Sequence, residues 1–210
     1  MQERLSKLIS IAGRPVSPAV EVNVGPVEGR LGEELAALLA SKNGFYAFES
    51  ALHVRHAGVT PGGEPDLHQW NDDLLWRSGY ADLATGFLFF AEDTFGCQFA
   101  IKNDVVYSFD VETGEAVAMA DNLEGWAAEV LENYEFRTGY PLAHQWQMRN
   151  GAMTIGTRLV PKRPFVLGGE FSADNLYALD SVQGMRLRAD LALQLKDLPD
   201  GATVNYRVVD

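Results

Sequence analysis

The chain has 210 residues, of which 47% are hydrophobic and 22% are charged, and its formal net charge is −12. This composition is typical of a globular protein with an ordinary core and excludes a disordered chain. The excess of acids disfavours direct binding to nucleic acid, because neutralising phosphates requires clustered lysine and arginine.

The sequence carries no signal for a membrane or for an oxidising compartment. No apolar run approaches the ~20 residues that a membrane-spanning helix needs. Residues 1–7 lack the basic region and the apolar core of a signal peptide. Cys97 is the sole cysteine, so an internal disulfide cannot form. We therefore expect a cytoplasmic protein that does not interact with a membrane.

The N-terminal part predicts mainly helices. The first 30 residues indicate a short helix followed by an irregular arm that contains three prolines. Residues 33–40 predict a second helix, because good helix formers follow two acids in the first turn. Asn43-Gly44 is its stop signal. Residues 45–57 are expected to continue as a further helix. Residues 67–77 have apolar side chains at helical spacing, but this pattern leaves open whether they form a helix or a strand.

From residue 87 the hydrophobic pattern changes to period two, which is typical of strands. The apolar run 87–91 predicts a buried strand. The alternation over 97–102 and 105–109 predicts two more strands, and residues 116–120 predict a fourth. Turn residues of hairpin length separate them. This segment therefore predicts an antiparallel β-meander.

The chain after the meander predicts a mixture of helices and strands. Asp121 has the position of an N-cap for a helix that reaches about Asn133. The C-terminal third adds two strand-like segments, a helix and a last strand, at residues 153–160, 165–167, 181–195 and 203–208. Without a repeat or a long linker, residues 1–210 are expected to form a single α+β domain. Its antiparallel meander would pack against N-terminal and C-terminal helices.

Four residues in the N-terminal half suggest a metal-site hypothesis: His53, His56, Asp66 and His68. Zinc requires three or four ligands that converge, and the HxxH spacing differs from the HExxH spacing of metalloproteases. We therefore predict that the histidines lie on the surface and that the chain holds no metal and no cofactor.

Other candidates for catalysis have simpler structural explanations. Cys97 alternates with Phe99 and Ile101, which predicts a place on the apolar face of a strand rather than a nucleophile. Glu92-Asp93 could form an acid–base pair, but adjacent carboxylates at a strand end favour a tight turn. The four tryptophans are expected to pack in the core or at its rim. The sequence therefore predicts no catalytic residues.

One segment of the chain is strongly acidic. Residues 103–136 contain nine aspartates and glutamates and no lysine or arginine. This is typical either of a solvated surface that maintains solubility or of a site for a cationic protein. The carboxylates at strand ends and turns are expected to reach solvent. The predicted partner-binding residues are Asp104, Asp110, Glu112, Glu115, Glu124, Glu129 and Glu132.

The meander also carries a series of short motifs that resemble a known family. They are Phe90 to Phe99, Val106 to Asp110, Thr113-Gly114-Glu115 and Ala120 to Trp126. Together they resemble the core of the SUKH superfamily, in particular the branch typified by the yeast Smi/Knr cell-wall regulators and their bacterial relatives.

This resemblance covers residues 31–135. The helix that ends at Asn43-Gly44-Phe45 is similar to the family's N-terminal helix, although Leu31-Gly32 stands where the family usually has Leu-Pro. Residues 137–210 resemble a subfamily extension with a segment like Pro164 to Gly169.

The resemblance implies an α+β fold without catalytic residues. In bacteria it implies an immunity protein that neutralises a toxin, often a nuclease, by direct contact. A basic toxin domain would fit the acidic segment, because complementary charges accelerate association. The alternatives are a regulatory adaptor of the Smi/Knr type and, from a different class, a small enzyme of unrecognised type.

Overall fold

A computed structural model of the chain describes residues 2–18, 24, 29–58, 63–199 and 202, and it has an α+β fold. Six antiparallel strands form the main sheet in the order of the sequence. They are β1 (Phe45–Ala47), β2 (Leu52–Val54), β3 (Leu88–Glu92), β4 (Gln98–Lys102), β5 (Val105–Phe109) and β6 (Ala116–Ala120). The predicted fold class and the predicted meander from β3 to β6 are confirmed.

Helices and a small second sheet complete the fold. The second sheet pairs β7 (Thr157–Pro161) with β8 (Leu176–Asp180) in antiparallel fashion. The α-helices are α1 (Glu3–Ile11), α2 (Arg30–Ser41), α3 (Leu67–Trp70), α4 (Leu123–Glu132), α5 (Tyr134–Thr138), α6 (Tyr140–Asn150) and α7 (Ser181–Lys196). Short 3₁₀ helices occupy Arg77–Ala84, Phe165–Leu167 and Ala173–Asn175. No helix within the described stretches is long and apolar enough to cross a lipid bilayer.

Both faces of β3 are buried, which explains why residues 88–91 are all apolar. On one face Phe90 packs in a cluster with Trp126 of α4 and with side chains of α1 and α2. On the other face Phe89 packs in a second cluster with Trp76 and with Met185 of α7. A strand that is covered on both faces loses the alternation of polar and apolar residues.

The tight turn between β4 and β5 has the conformation that its residues favour. Asn103 and Asp104 both have positive φ angles, 50° and 60°. Two successive left-handed residues are required by the turn type that best matches the twist of a two-residue hairpin, and Asn and Asp adopt this conformation more readily than most residues. The predicted turn is therefore confirmed.

The prediction of a helix over residues 45–57 is wrong, because this segment forms β1 and β2. Residues 48–51 join the two strands, and Phe48, Glu49 and Ser50 among them have φ angles of 51°, 52° and 71°. Such left-handed turns are usually indicated by glycine or asparagine, which this turn lacks. Pairing of β2 with β3, which places His53 opposite Glu92, stabilises the strand against its local preference.

The part of the chain that follows the meander differs from the prediction in several elements. Residues 165–167 form a 3₁₀ turn instead of a strand, between Pro164 and the left-handed Gly168. The helix α4 is capped by Asn122, which accepts from the Gly125 N–H, and not by Asp121. Helices α5 and α6 and strand β8 were not predicted. The predicted helix over 181–195 is confirmed as α7. The predicted strand 203–208 lies outside the described residues.

Candidate functional site

An open cleft of about 560 Å³ lies where the main sheet meets the C-terminal third of the chain. The β3–β4 turn and the end of β5 contribute one side of it. Helix α5, the start of α6 and the segment around residues 165–171 contribute the other side, and α7 reaches it through Arg188. The apolar side chains that line the cleft include Phe95, Phe136, Pro141, Leu142, Phe165, Val166 and Phe171.

Asp93 lies at the base of the cleft and organises the β3–β4 turn. Its Oδ1 accepts hydrogen bonds from the N–H groups of Phe95 and Cys97, both at 2.8 Å. The side chain is buried, and burial raises its pKa to about 7 despite these two hydrogen bonds. The predicted tight turn is confirmed, but its carboxyl group is withdrawn from solvent.

Glu112 is a second buried carboxylate that lines the cleft, with 5% of its surface exposed. Its Oε2 accepts a hydrogen bond from the Val166 N–H at 2.8 Å, while its Oε1 is buried without a hydrogen-bond partner. Burial raises the pKa of this carboxyl above its usual value. The expectation that Glu112 reaches solvent is wrong, because the 3₁₀ turn at residues 165–167 covers it.

Arg188 of α7 supplies a buried cation to the base of the cleft. Its Nε donates to the Gly184 carbonyl at 2.8 Å, and its guanidinium also donates to the Phe95 carbonyl. Both partners are neutral backbone groups. Gly184 and Gly96 leave the room that the guanidinium fills, since a Cβ at either position would crowd it.

The mouth of the cleft exposes large apolar side chains. Phe136 is 79% exposed, Phe171 is 70% exposed and Val166 is 43% exposed. The ring of Phe171 stacks on Phe165 with parallel planes and 4.1 Å between ring centroids, and Phe165 packs edge-on against Phe95. Neighbouring exposed rings of this kind are typical of binding surfaces.

The structure brings only part of the predicted acidic site together. Asp110 and Glu112 line the cleft with Glu135, and Glu115 lines an adjoining cavity that also includes Asp110 and Arg137. Asp110 additionally accepts from the Glu112 and Thr113 N–H groups, which fixes the turn before β6. These carboxylates form an acidic rim, defined here as Asp110, Glu115 and Glu135.

The other predicted acids interact with distant parts of the chain. Asp104 accepts from the Leu31 N–H at the start of α2. Glu124 accepts from the Arg4 and Leu5 N–H groups at the start of α1. Carboxylates are favourable at both places, because the first N–H groups of a helix lack partners within it.

Two further acids of the segment are paired with bases outside it. Glu129 accepts from Arg137 at 2.6 Å, and Glu132 lies 3.0 Å from Arg4. The absence of lysine and arginine between residues 103 and 136 therefore does not mean that its charges are unneutralised. Only the acidic rim remains a compact candidate for a cationic partner.

The prediction of surface histidines is wrong for His53 and His56, which are both buried. His53 Nδ1 lies 3.1 Å from Glu92 Oε1, because the two residues are opposite each other in β2 and β3. Burial lowers the pKa of His53 to about 3, so the ring is neutral at neutral pH. Across the described ranges, no three His, Cys, Asp or Glu side chains are grouped as a metal would require.

Glu92 is the centre of a buried ionic cluster. Its Oε1 lies 2.7 Å from Arg55 and 2.9 Å from Arg158 of β7. Burial pushes the pKa of Glu92 upward, but the two guanidiniums outweigh it and hold the pKa well below its usual value. The cluster therefore keeps its charges and links the two sheets. The adjacent carboxylates Glu92 and Asp93 face different partners and do not act as a pair.

Cys97 is half-buried and lines the cleft. It packs against the cluster that contains Phe89, whereas Phe99 and Ile101 belong to the cluster on the opposite face. Cys97 therefore does not share a face of the sheet with Phe99 and Ile101, as the alternation predicted. The reason is that Cys97 belongs to the turn at Asp93 and precedes β4. Burial raises the pKa of its thiol well above the usual value, which disfavours the reactive thiolate.

Three tryptophans occupy the core and the fourth lies at its rim, as predicted. Trp70, Trp76 and Trp126 are fully buried, and Trp146 packs half-buried against a third cluster under α6. Sequence reasoning did not identify Phe136, Phe171 or Arg188. In the sequence, the signal for Arg188 is a charged residue among the apolar positions on the buried side of α7.

Comparisons with known proteins extend the description of the fold. No known family profile and no curated protein matches the chain. The fold is similar to the crystal structure of Atu4351 from Agrobacterium tumefaciens, with a TM-score of 0.62 and 16% sequence identity. The similarity covers 90% of this chain and 88% of that chain. At this identity the likeness concerns the fold alone.

Proposed function

We propose that this chain is a non-catalytic cytoplasmic protein that neutralises a toxin by binding it through the cleft. The observation that carries the proposal is the open cleft with exposed Phe136, Phe171 and Val166 at its mouth. Leaving such side chains in water is unfavourable, and large exposed aromatic rings are characteristic of protein interfaces.

The charge of the molecule favours a cationic partner. The formal net charge is −12, and Asp110, Glu115 and Glu135 are exposed beside the apolar mouth. Among the described residues, Glu115 and Glu135 form no ion pair that would neutralise them. A basic toxin, such as a nuclease with a surface for nucleic acid, would therefore be attracted to this face.

The resemblance of residues 31–135 to the SUKH superfamily is the second support for an immunity function. The resemblance also suggests a role for the extension, residues 137–210. Phe165, Val166, Phe171 and Arg188 all come from it and complete the cleft. We infer that the extension supplies much of the apolar side of the binding surface, and that residues 110–135, which precede it, supply the acidic rim.

One observation favours the alternative of a small enzyme, and it is the pKa of Asp93, raised to about 7 inside the cleft. Two features weigh against that alternative. Asp93 Oδ1 is occupied by two backbone N–H groups, and the thiol of Cys97 has a pKa well above its usual value. The apolar and acidic side chains of the cleft would suit a regulatory adaptor as well as an immunity protein, so an experiment has to distinguish these two functions.

Growth protection tests the proposed function. The products of the genes that flank this one are expressed in a bacterial host, each alone and each together with this chain. We expect one product to arrest growth and this chain to restore it. If no flanking product is toxic, or if this chain gives no protection, the immunity function is wrong and the adaptor becomes the better hypothesis.

A further inference from the structure

Three phenylalanine rings of the cleft form a ladder whose last ring is open. Phe95 and Phe165 meet edge to face with 5.3 Å between ring centroids, and Phe165 and Phe171 stack with parallel planes at 4.1 Å. Phe95 and Phe165 are half-buried, whereas Phe171 is 70% exposed. The ladder therefore ends in a ring whose surface is free to contact another aromatic group, and such contacts between rings are favourable.

The base of the ladder is fixed by the groups around Phe95. The Phe95 N–H donates to Asp93 Oδ1 at 2.8 Å, and the Phe95 carbonyl accepts from the guanidinium of Arg188. Gly139 lies directly against the Phe95 ring, since a Cβ at this position would clash with it. A surface that is held in place before binding loses little conformational freedom on binding, so the ladder is preorganised for a partner.

The remaining walls of the cleft leave room for a large apolar side chain. Phe136 at the mouth is 79% exposed, and the cleft has a volume of about 560 Å³. Volumes of roughly 300–1,000 Å³ and mainly apolar walls are typical of clefts that enclose a ligand. A charged side chain suits the base less well, because buried Arg188, Asp93 and Glu112 already occupy it.

The acidic rim determines which residues can stand beside that side chain in the partner. Asp110 and Glu135 line the cleft, and Glu115 lines the adjoining cavity. All three are exposed, and none forms an ion pair among the described residues. Basic neighbours of an inserted side chain would therefore be attracted to the rim, whereas acidic neighbours would be repelled.

We propose that the cleft accepts an aromatic side chain of the partner, which continues the ladder at Phe171, while basic neighbours of that side chain face the acidic rim. This inference rests on the proposed function, because it names the residue by which a basic partner is anchored. Tryptophan fits best, since it buries the largest apolar surface and is enriched among the residues that dominate binding at protein interfaces. Phe171 then contacts the partner, and Phe95 is a positioning residue.

The test uses the isolated protein and three acetylated, amidated tripeptides. The Lys-Trp-Lys probe is titrated into ¹⁵N-labelled protein. The Lys-Leu-Lys probe replaces the ring by an aliphatic side chain, and the Glu-Trp-Glu probe reverses the flanking charges. We expect saturable shifts of the backbone amides of Phe136, Phe165 and Phe171 with the Lys-Trp-Lys probe, and about tenfold weaker binding of each of the other two.

A matched pair of variants identifies the ring that receives the probe. Phe171→Ala removes the open end of the ladder and should weaken binding of the Lys-Trp-Lys probe at least about tenfold. Leu74→Ala truncates an apolar side chain that is 86% exposed and lies outside the cleft, and it should weaken the probe less than about twofold. Because both side chains are mostly exposed, both variants should keep the amide spectrum of a folded protein.

Several results would overturn the inference. They are the absence of saturable shifts, equal binding of the Lys-Trp-Lys and Lys-Leu-Lys probes, equal binding of the Glu-Trp-Glu probe, shifts confined to another face, or equal effects of the two variants. Because no partner takes part, this test fails independently of the growth assay. Probe binding without a toxic flanking gene product would contradict the proposed function alone, and growth protection without probe binding would contradict the aromatic site alone.

Discussion

Single residues show most clearly what the sequence could not predict. The turn at Asp93 followed from adjacent carboxylates at a strand end, but its burial did not. Glu112 is covered by Val166, 54 positions later in the chain, and His53 is buried by pairing with Glu92. Local composition predicts turns and capping, whereas burial of a polar residue depends on which distant segment packs over it.

The buried Asp93 predicts a specific dependence of stability on pH. The folded pKa of about 7 lies above the ordinary value of 3.8 that the unfolded chain has. Between these values the folded state binds more protons, so the contribution of Asp93 to stability falls as the pH rises from about 4 to about 7. Asp93→Asn keeps the accepting Oδ1 and removes the titration.

Relative to the parent protein, Asp93→Asn should therefore gain stability as the pH rises through this window, by up to about 1.4 kcal/mol per pH unit. Urea denaturation at pH 5, 6, 7 and 8 measures the difference. Asp190→Asn, an exposed change on α7, is the control and should show no such trend. Parallel curves for the parent and Asp93→Asn would mean that Asp93 titrates normally.

Whole elements were predictable where hydrophobic periodicity was strong and connections were short. Strands β3 to β6 and helices α2, α4 and α7 meet both conditions. Strands β1 and β2 have three residues each and a left-handed turn without glycine, so propensity favoured a helix there. Residues 165–167 have strand-like side chains, but Pro164 and Gly168 confine them to a 3₁₀ turn.

The link between the two sheets depends on the ionic cluster at Glu92. Arg158 of β7 lies 2.9 Å from Glu92 Oε1, and both side chains are at most 2% exposed. Arg158→Met should lower the free energy of unfolding by about 3 kcal/mol, because the carboxylate loses one of its two guanidinium partners in a buried place. Chemical denaturation measures this change.

Arg149→Met is the control for this prediction. Arg149 forms an ion pair with Asp174 at 2.8 Å, but both side chains are more than half exposed. Exposed pairs contribute about 0–1 kcal/mol, so this variant should be nearly as stable as the parent. Comparable small losses in both variants would show that the Glu92 cluster does not hold β7 against the main sheet.

For the molecule as a whole, charge predicted an acidic segment but not which of its carboxylates the fold leaves unpaired and exposed. The acidic segment suggested seven partner-binding residues, and the fold uses several of them to cap helices or to pair with Arg4 and Arg137. The apolar half of the cleft was not predicted, because its residues lie far apart in sequence and meet only in the folded chain.

We therefore expect the acidic rim, and not the overall charge, to control capture of the partner. A rim variant combines Asp110→Asn, Glu115→Gln and Glu135→Gln. A control variant combines Glu33→Gln, Asp190→Asn and Asp197→Asn, all exposed and outside the cleft. Both raise the formal net charge by three units, so long-range attraction changes equally. Exposed substitutions of this kind usually alter stability by no more than about 0.5 kcal/mol.

The most direct measurement is the stopped-flow association rate of each variant with the toxin identified by growth protection, at several salt concentrations. The rim variant should associate at least about tenfold more slowly at low salt than the control variant, with a flatter salt dependence. If the two variants associate at the same rate and with the same salt dependence, the acidic rim is not the surface that captures the partner.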